Sequence, residues 1–417
     1  MEKEKKLYIL ALFMVVGFFT AILFCYYEGI YQGQPYPYNT FLFKPADRYM
    51  DFYNILSAIA NLNPYFGVHF IFTYYPFLGM ICWFFSLIPR PYTYFLYLFI
   101  VISLSIYFIY QLLWQMPWHK KTLFIFILFF LSYPVLFSID RGNFEFLLFV
   151  ALLASLYFYI KQDYLISAIC LALAIAMKIY PALFLLIFIA DKKYREAILA
   201  IVIAVLLTLV SLLFFQGGLV ANFLNLLNMT NINNNMVIAD LINITSRSSK
   251  VVQRSVSLLT LVKISIIELQ LNPSPFVVEN FSKIYSVFTA IIAIPLTIYT
   301  IFFEKEMWKK VALIIFAMLL LPSVSADYKL LLVYLPLVLF LNAEGEGRLD
   351  PVYTILFALL LIPITYYFLP TVVSENRIHE ISIGVVVRIV DMLVFCLVII
   401  YSRIWKQRRP VKKELAQ

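Results

Sequence analysis

"LYILALFMVVGFFTAILFCYY", residues 7–27, holds no charged side chain over 21 positions. At 1.5 Å per residue, a helix of that length spans the ~30 Å hydrocarbon core of a bilayer. Runs of this kind recur along the chain. Hydrophobic residues make up 63% of the 417 and charged residues 13%, about half the roughly 25% usual in soluble domains. A separate soluble domain has no stretch in which to form, so residues 1–417 are expected to be one integral membrane domain, all-α and polytopic.

"MEKEKK" precedes the first run, and "CYYEGIYQGQP" after it offers no small-x-small cleavage site, so the run is read as a retained transmembrane helix and not a signal peptide. Lysines at the start and the basic tail at 403–417 put both termini in the cytoplasm by the positive-inside rule. Further spans are expected at 69–88, 92–114, 121–138, 143–160, 164–189, 194–215, 281–302, 309–325, 328–342, 352–369 and 382–402, about twelve in all. Alternation makes 28–68 and 216–280 two long external loops. It also places "WHKK" outside and Asp140 and Arg141 inside, against charge; a half-length segment nearby would reverse both. The second long loop is rich in Asn and Ser, then turns apolar at "VSLLTLVKISIIELQL", 256–271, which suggests a helix at the membrane interface covering a site.

Several chemistries lack their residues. There is no phosphate-binding G-x-x-x-x-G-K-[ST] loop, no G-x-S-x-G elbow and no H-E-x-x-H, and the histidines are only His69, His119 and His379. The four cysteines have no C-x-x-C spacing and suit packing. The net charge of +9 belongs largely to cytoplasmic loops and tail, so nucleic acid is not an expected partner.

What remains is a set of polar residues in costly places. In "ADRYMDFYNILSAIANLNPY", Asp47 and Asp51 stand four apart and share a face if the segment is helical, with Arg48 beside them. Asp47 suits a helix cap, and Asn63, Tyr65 and Tyr75 follow near the expected membrane mouth. "DRGNFE" puts Arg141, Asn143 and Glu145 at the entrance of an apolar helix, where an unpaired charge costs several kcal/mol. "MKIYP" sets Lys178 and Tyr180 deep in another, and "SADYKLL" offers Asp327, Tyr328 and Lys329. Arg254 lies in the second long loop.

In order and spacing, "MDFYN…NPY…YYP", "DRGNFE", "KIYP" and "SADYKLL" resemble the GT-C superfamily of integral-membrane glycosyltransferases. The resemblance covers residues 46 to about 340 and is strongest to the polyprenol-phosphate-mannose-dependent family that includes phosphatidylinositol-mannoside mannosyltransferases. "RGNFE" and "KIYP" are also similar to the first mannosyltransferase of glycosylphosphatidylinositol assembly. It implies a GT-C-like bundle with its site at the external face of a plasma membrane, a polyprenyl-phosphate sugar as donor and a lipid or glycan as acceptor. It also implies an acidic catalytic base in the first external loop, a position Asp51 matches. Several relatives carry His where this chain has "SADYK", so Asp327 and Lys329 inherit that site's role only by position. Lys329, Arg254 and Lys178 are the cations available for a leaving phosphate. No cofactor is required, although Asp47 and Asp51 could together hold a divalent ion. The rival expectation is a lipid or solute transporter using Arg141, Glu145 and Lys178 as an ion-coupled path; the absence of internal repeats disfavours it.

Overall fold

A computed structural model describes residues 3–66, 72, 74–242, 254–269, 271, 274–343, 349–364, 368–374 and 377–407. His69 and the tail beyond Gln407 lie outside them. The chain opens with α1 (Lys3–Tyr26), α2 (Met50–Ile59), α3 (Pro76–Ser86) and α4 (Tyr92–Leu112). It continues through α5 (Trp118–Leu131), α6 (Tyr133–Arg141), α7 (Glu145–Ile160), α8 (Tyr164–Met177), α9 (Leu185–Ala190), α10 (Tyr194–Phe214) and α11 (Gly218–Ile242). The last part comprises α12 (Leu258–Glu268), α13 (Pro275–Ile298), α14 (Met307–Leu320), α15 (Tyr334–Asn342) and α16 (Asp350–Leu361). A hairpin of β1 (Phe368–Ser374) and β2 (Arg377–Ser382) then leads into α17 (Ile383–Gln407). Among the described residues five helices are long and apolar enough to cross a membrane, and six if the α5–α6 pair, bent by 52°, is counted as one. The protein is an all-α polytopic membrane protein.

Ion pairs mark the two ends of the bundle. At one, Lys120 pairs with Glu4, Lys310 with Asp191 at 3.1 Å, and Lys6 with Asp350 at 3.7 Å. At the other, Arg141 pairs with Asp51 and Arg48 with Asp140 at 3.3 Å. "WHKK" thus joins the N-terminal end and Asp140–Arg141 the Asp51 end, the reverse of simple alternation.

Two expected spans turn back, and the first, which precedes both loops, accounts for the reversal. The run at 69–88 yields only α3, whose 11 residues make a helix of about 16 Å. Beyond it Arg90 donates to Ser57 at 2.9 Å and stacks on Tyr53 at 4.5 Å, so both sides of the run stay at the Asp51 end. The run at 164–189 breaks at Lys178, whose extended backbone (φ −157°, ψ 147°) ends α8. Pro181 follows, and the 3₁₀ turn Tyr180–Phe184 with α9 returns the chain to Asp191, where Tyr159 donates to the carboxylate at 2.6 Å.

At the bundle's centre lies α14, with Val311, Ala312, Leu313, Ile315, Phe316, Met318 and Leu319 all at 0% exposure. A helix apolar on every face belongs in such a position. In the segment 256–271, Leu259, Thr260 and Lys263 of α12 are buried against the bundle while Leu269 and Leu271 are exposed. Val256 N–H donates to the Ser325 carbonyl at 2.8 Å, which ties this segment to the core.

Candidate active site

Asp51 sits in the first turn of α2. Its predicted partnership with Asp47 along one helix face does not form. Pro45–Asp47 is a separate 3₁₀ turn, Arg48 is extended (ψ 134°) and Tyr49 adopts φ 60°, so the helix begins only at Met50. Asp47 therefore caps nothing; its carbonyl accepts from Arg141 Nη1 at 3.0 Å.

Asp51 is held instead by "DRGNFE". Arg141 Nη2 donates to Oδ1, and Asn143 Nδ2 donates to Oδ2 at 2.9 Å. Gly142 makes this two-sided grip possible. It ends α6 at φ +65°, and a Cβ there would stand 2.9 Å from Phe52 Cβ and 3.2 Å from Tyr94. Only glycine takes that conformation without strain and lets α2 approach so closely. Tyr97 donates to the Asn143 carbonyl at 2.8 Å, and Phe52 stacks on Phe144 at 5.1 Å, so the strand of chain between α6 and α7 is fixed from behind.

The network continues inward. Asn143 Oδ1 accepts from the Glu145 N–H at 3.0 Å, and Glu145 is 1% exposed. Its carboxylate accepts from Lys178 on one oxygen and Tyr180 on the other. Lys329 is buried 4.8 Å above the Tyr180 ring and donates to the Val324 carbonyl at 3.3 Å. Lys178 in turn lies 5.2 Å from the Tyr74 ring. The break in α8 is what brings Lys178 here: a continued helix would bury it along α8.

A second cationic group adjoins the first. Arg141 stacks on Phe43 at 4.1 Å and Arg254 on the same ring at 5.3 Å. Arg254 also donates to Tyr36 at 2.9 Å and to the Leu42 carbonyl at 2.8 Å. Asp140 accepts from the Phe43 N–H at 3.2 Å while pairing with Arg48. The two guanidiniums thereby share one aromatic ring.

Other predicted site residues fall elsewhere. Asp327 is fully buried and turned from the cluster, accepting from Tyr133 at 2.6 Å and from Arg388 at 3.2 Å. Lys329, two residues on, faces the opposite way into the cluster. Tyr328 is half-buried and its carbonyl accepts from Ser138 at 3.4 Å. Tyr65 donates to the Tyr74 carbonyl at 3.1 Å, and burial pushes its phenol above the usual range. Asn63 contributes a carbonyl to the turn before Phe66, and Tyr75 precedes α3, its carbonyl accepting from the Gly79 N–H at 3.1 Å. Tyr74, Phe43, Tyr36 and Arg388 went unnoticed in sequence: each is an ordinary interfacial or apolar-run residue by pattern, and only packing assigns it a place. Among the described residues no three His, Cys, Asp or Glu side chains converge as metal ligands would.

Opposite charges from five separate chain segments, buried or half-buried, thus meet at one end of a bundle of apolar helices. Comparison with known families supplies the class: the chain is a membrane glycosyltransferase. Residues 72–325, more than half its length, match glycosyltransferase family 87, and the chain belongs to that family. The matched region includes Arg141, Asn143, Glu145, Lys178 and Arg254; Asp51 precedes it and Lys329 follows it. A search of curated proteins returns no match.

Proposed function

We propose that the protein transfers a hexose, most simply mannose, from a polyprenyl-phosphate donor to a lipid or glycan acceptor at the external membrane face, with inversion. The observation that carries this reading is the side-by-side placement of a half-buried carboxylate, Asp51, and two lysines, Lys178 and Lys329, around one buried Glu145. A carboxylate oxygen offers about two lone-pair sites. Arg141 and Asn143 take one on each oxygen of Asp51, which leaves room for an acceptor hydroxyl.

In the step, Asp51 takes the hydroxyl proton as the acceptor oxygen bonds to the anomeric carbon. The bond from that carbon to the phosphate oxygen breaks on the opposite face, and polyprenyl phosphate leaves with the electron pair. Lys178 and Lys329 meet the charge that develops on the leaving phosphate, with Arg254 as a more distant cation. Arg141 orients Asp51, and Tyr74 offers an aromatic face near the sugar.

The test is transfer of radiolabelled mannose from a polyprenyl-phosphate donor to membrane lipids by the purified chain and by Asp51→Asn. Transfer falling by about 10²–10⁴-fold with donor binding retained is the expected result. If the parent protein binds donor but moves no sugar to any lipid, the assignment of donor and acceptor is wrong.

A further inference from the structure

Between α12, α13, α14 and α17 lies a cavity of about 670 Å³ with hydrocarbon walls, among them Leu261, Ile292, Leu296, Phe316, Ala317 and Leu393. Leu321 lines it and also lines a second cavity of about 240 Å³. The second is different in kind, since Ser282, Tyr285, Ser286, Thr289 and Ser323 border it. Among the described residues no charged side chain lines either space.

Three of the five hydroxyl groups that border the smaller cavity have their protons committed. Ser286 donates to the Ser282 carbonyl at 2.8 Å, Thr289 to Ser286 at 3.0 Å, and Tyr285 to Leu321 at 2.9 Å. What these oxygens present to a ligand is lone pairs. An anionic headgroup would meet no cation among the described lining residues to offset its lost hydration, whereas a neutral headgroup with hydroxyl donors would be satisfied by the three committed oxygens. The outer wall, α13, is open to the bilayer, with only 6% of its apolar window buried. The volume of the larger cavity falls in the ~300–1,000 Å³ range of ligand sites.

We propose that the two cavities together bind a membrane lipid with an uncharged, hydroxyl-bearing headgroup, its chain between α13, α14 and α17 and its head among Ser286, Thr289 and Ser323. Ser323 adjoins Val324, whose carbonyl anchors Lys329, so the headgroup lies one residue from the cluster around Glu145. Naming this lipid the acceptor rests on the proposed transfer reaction; its binding does not.

The test uses the full chain in lipid nanodiscs with a hexadecyl glucoside carrying a diazirine in its alkyl chain, and a hexadecyl phosphate with the same diazirine. After irradiation, the glucoside is expected to label peptides of α13 and α14, with Ala317→Trp lowering that label by about tenfold or more. Because a bulky residue could disturb folding, Thr289→Val serves as the second variant. It is expected to weaken glucoside labelling and leave the weaker phosphate labelling unchanged. Equal or stronger labelling of these peptides by the phosphate probe overturns the proposal, as does label spread evenly over all lipid-facing helices. Labelling is expected to persist in Asp51→Asn, so a binding site survives even if the transfer reading fails. If glucoside-labelled protein still transfers sugar at the full rate, the acceptor role falls and the binding site stands.

Discussion

Asn143 connects the two carboxylates of the site: its Nδ2 donates to Asp51 Oδ2 at 2.9 Å while its Oδ1 accepts the Glu145 N–H at 3.0 Å. One amide therefore sets the distance between the residue proposed to take a proton and the residue that gathers the lysines. Asn143→Ala removes a hydrogen bond to a charged group, worth about 1.5–3 kcal/mol. Turnover is expected to fall by about tenfold or more, with the KM for donor little changed, in steady-state transfer assays.

Glu145 and Lys178 form a pair in which only the lysine reaches solvent, at 18% exposure against 1%. Lys178→Met strands a buried carboxylate and is expected to cost about 3–5 kcal/mol. Adding Glu145→Gln is expected to regain most of that stability without restoring transfer. Thermal unfolding in detergent beside a transfer assay separates the two effects.

Gly142 holds φ +65° with no room for a Cβ against Phe52. Gly142→Ala is expected to destabilise by about 1–3 kcal/mol and to reduce transfer further than stability alone accounts for, because Arg141 and Asn143 flank it and both grip Asp51. Activity measured per folded molecule, well below the unfolding midpoint, checks this.

Asp327 and Arg388 are each at 0% exposure and 3.2 Å apart. Asp327→Asn alone is expected to lower stability by about 3–5 kcal/mol, and Asp327→Leu combined with Arg388→Met to recover much of it. A double-mutant cycle by thermal unfolding gives the coupling; additive losses would show that the pair does not act as a unit.

The helical segments were readable because apolar runs and prolines report local structure directly. "DRGNFE" and "KIYP" were readable because charge inside an apolar run demands a partner, and Glu145 with Lys178 met that demand. Depth was not readable. Residues 69–88 and 164–189 have the composition of spans, and it took Arg90 against Tyr53 and Asp191 against Tyr159 to show that both turn back. The role of Asp327 was hidden for a related reason: its partner Arg388 stands 61 positions away, and neither residue type nor spacing announces that meeting. Asp47 misled because a four-residue spacing implies a shared face only if the helix is continuous, and Tyr49 interrupts it.

Two lysines, Lys178 and Lys329, gather around the one carboxylate of Glu145, so among the described residues the inner site carries a surplus of positive charge. A phosphodiester-linked donor brings one negative charge; the phosphomonoester left after transfer carries nearly two at neutral pH. The same pair of lysines that eases bond breaking would then retain the spent carrier more tightly than the fresh one. If the donor is the polyprenyl-phosphate sugar proposed above, departure of the polyprenyl phosphate is expected to be slower than the sugar transfer itself, which would tie the rate of the enzyme to how fast the membrane takes its carrier back.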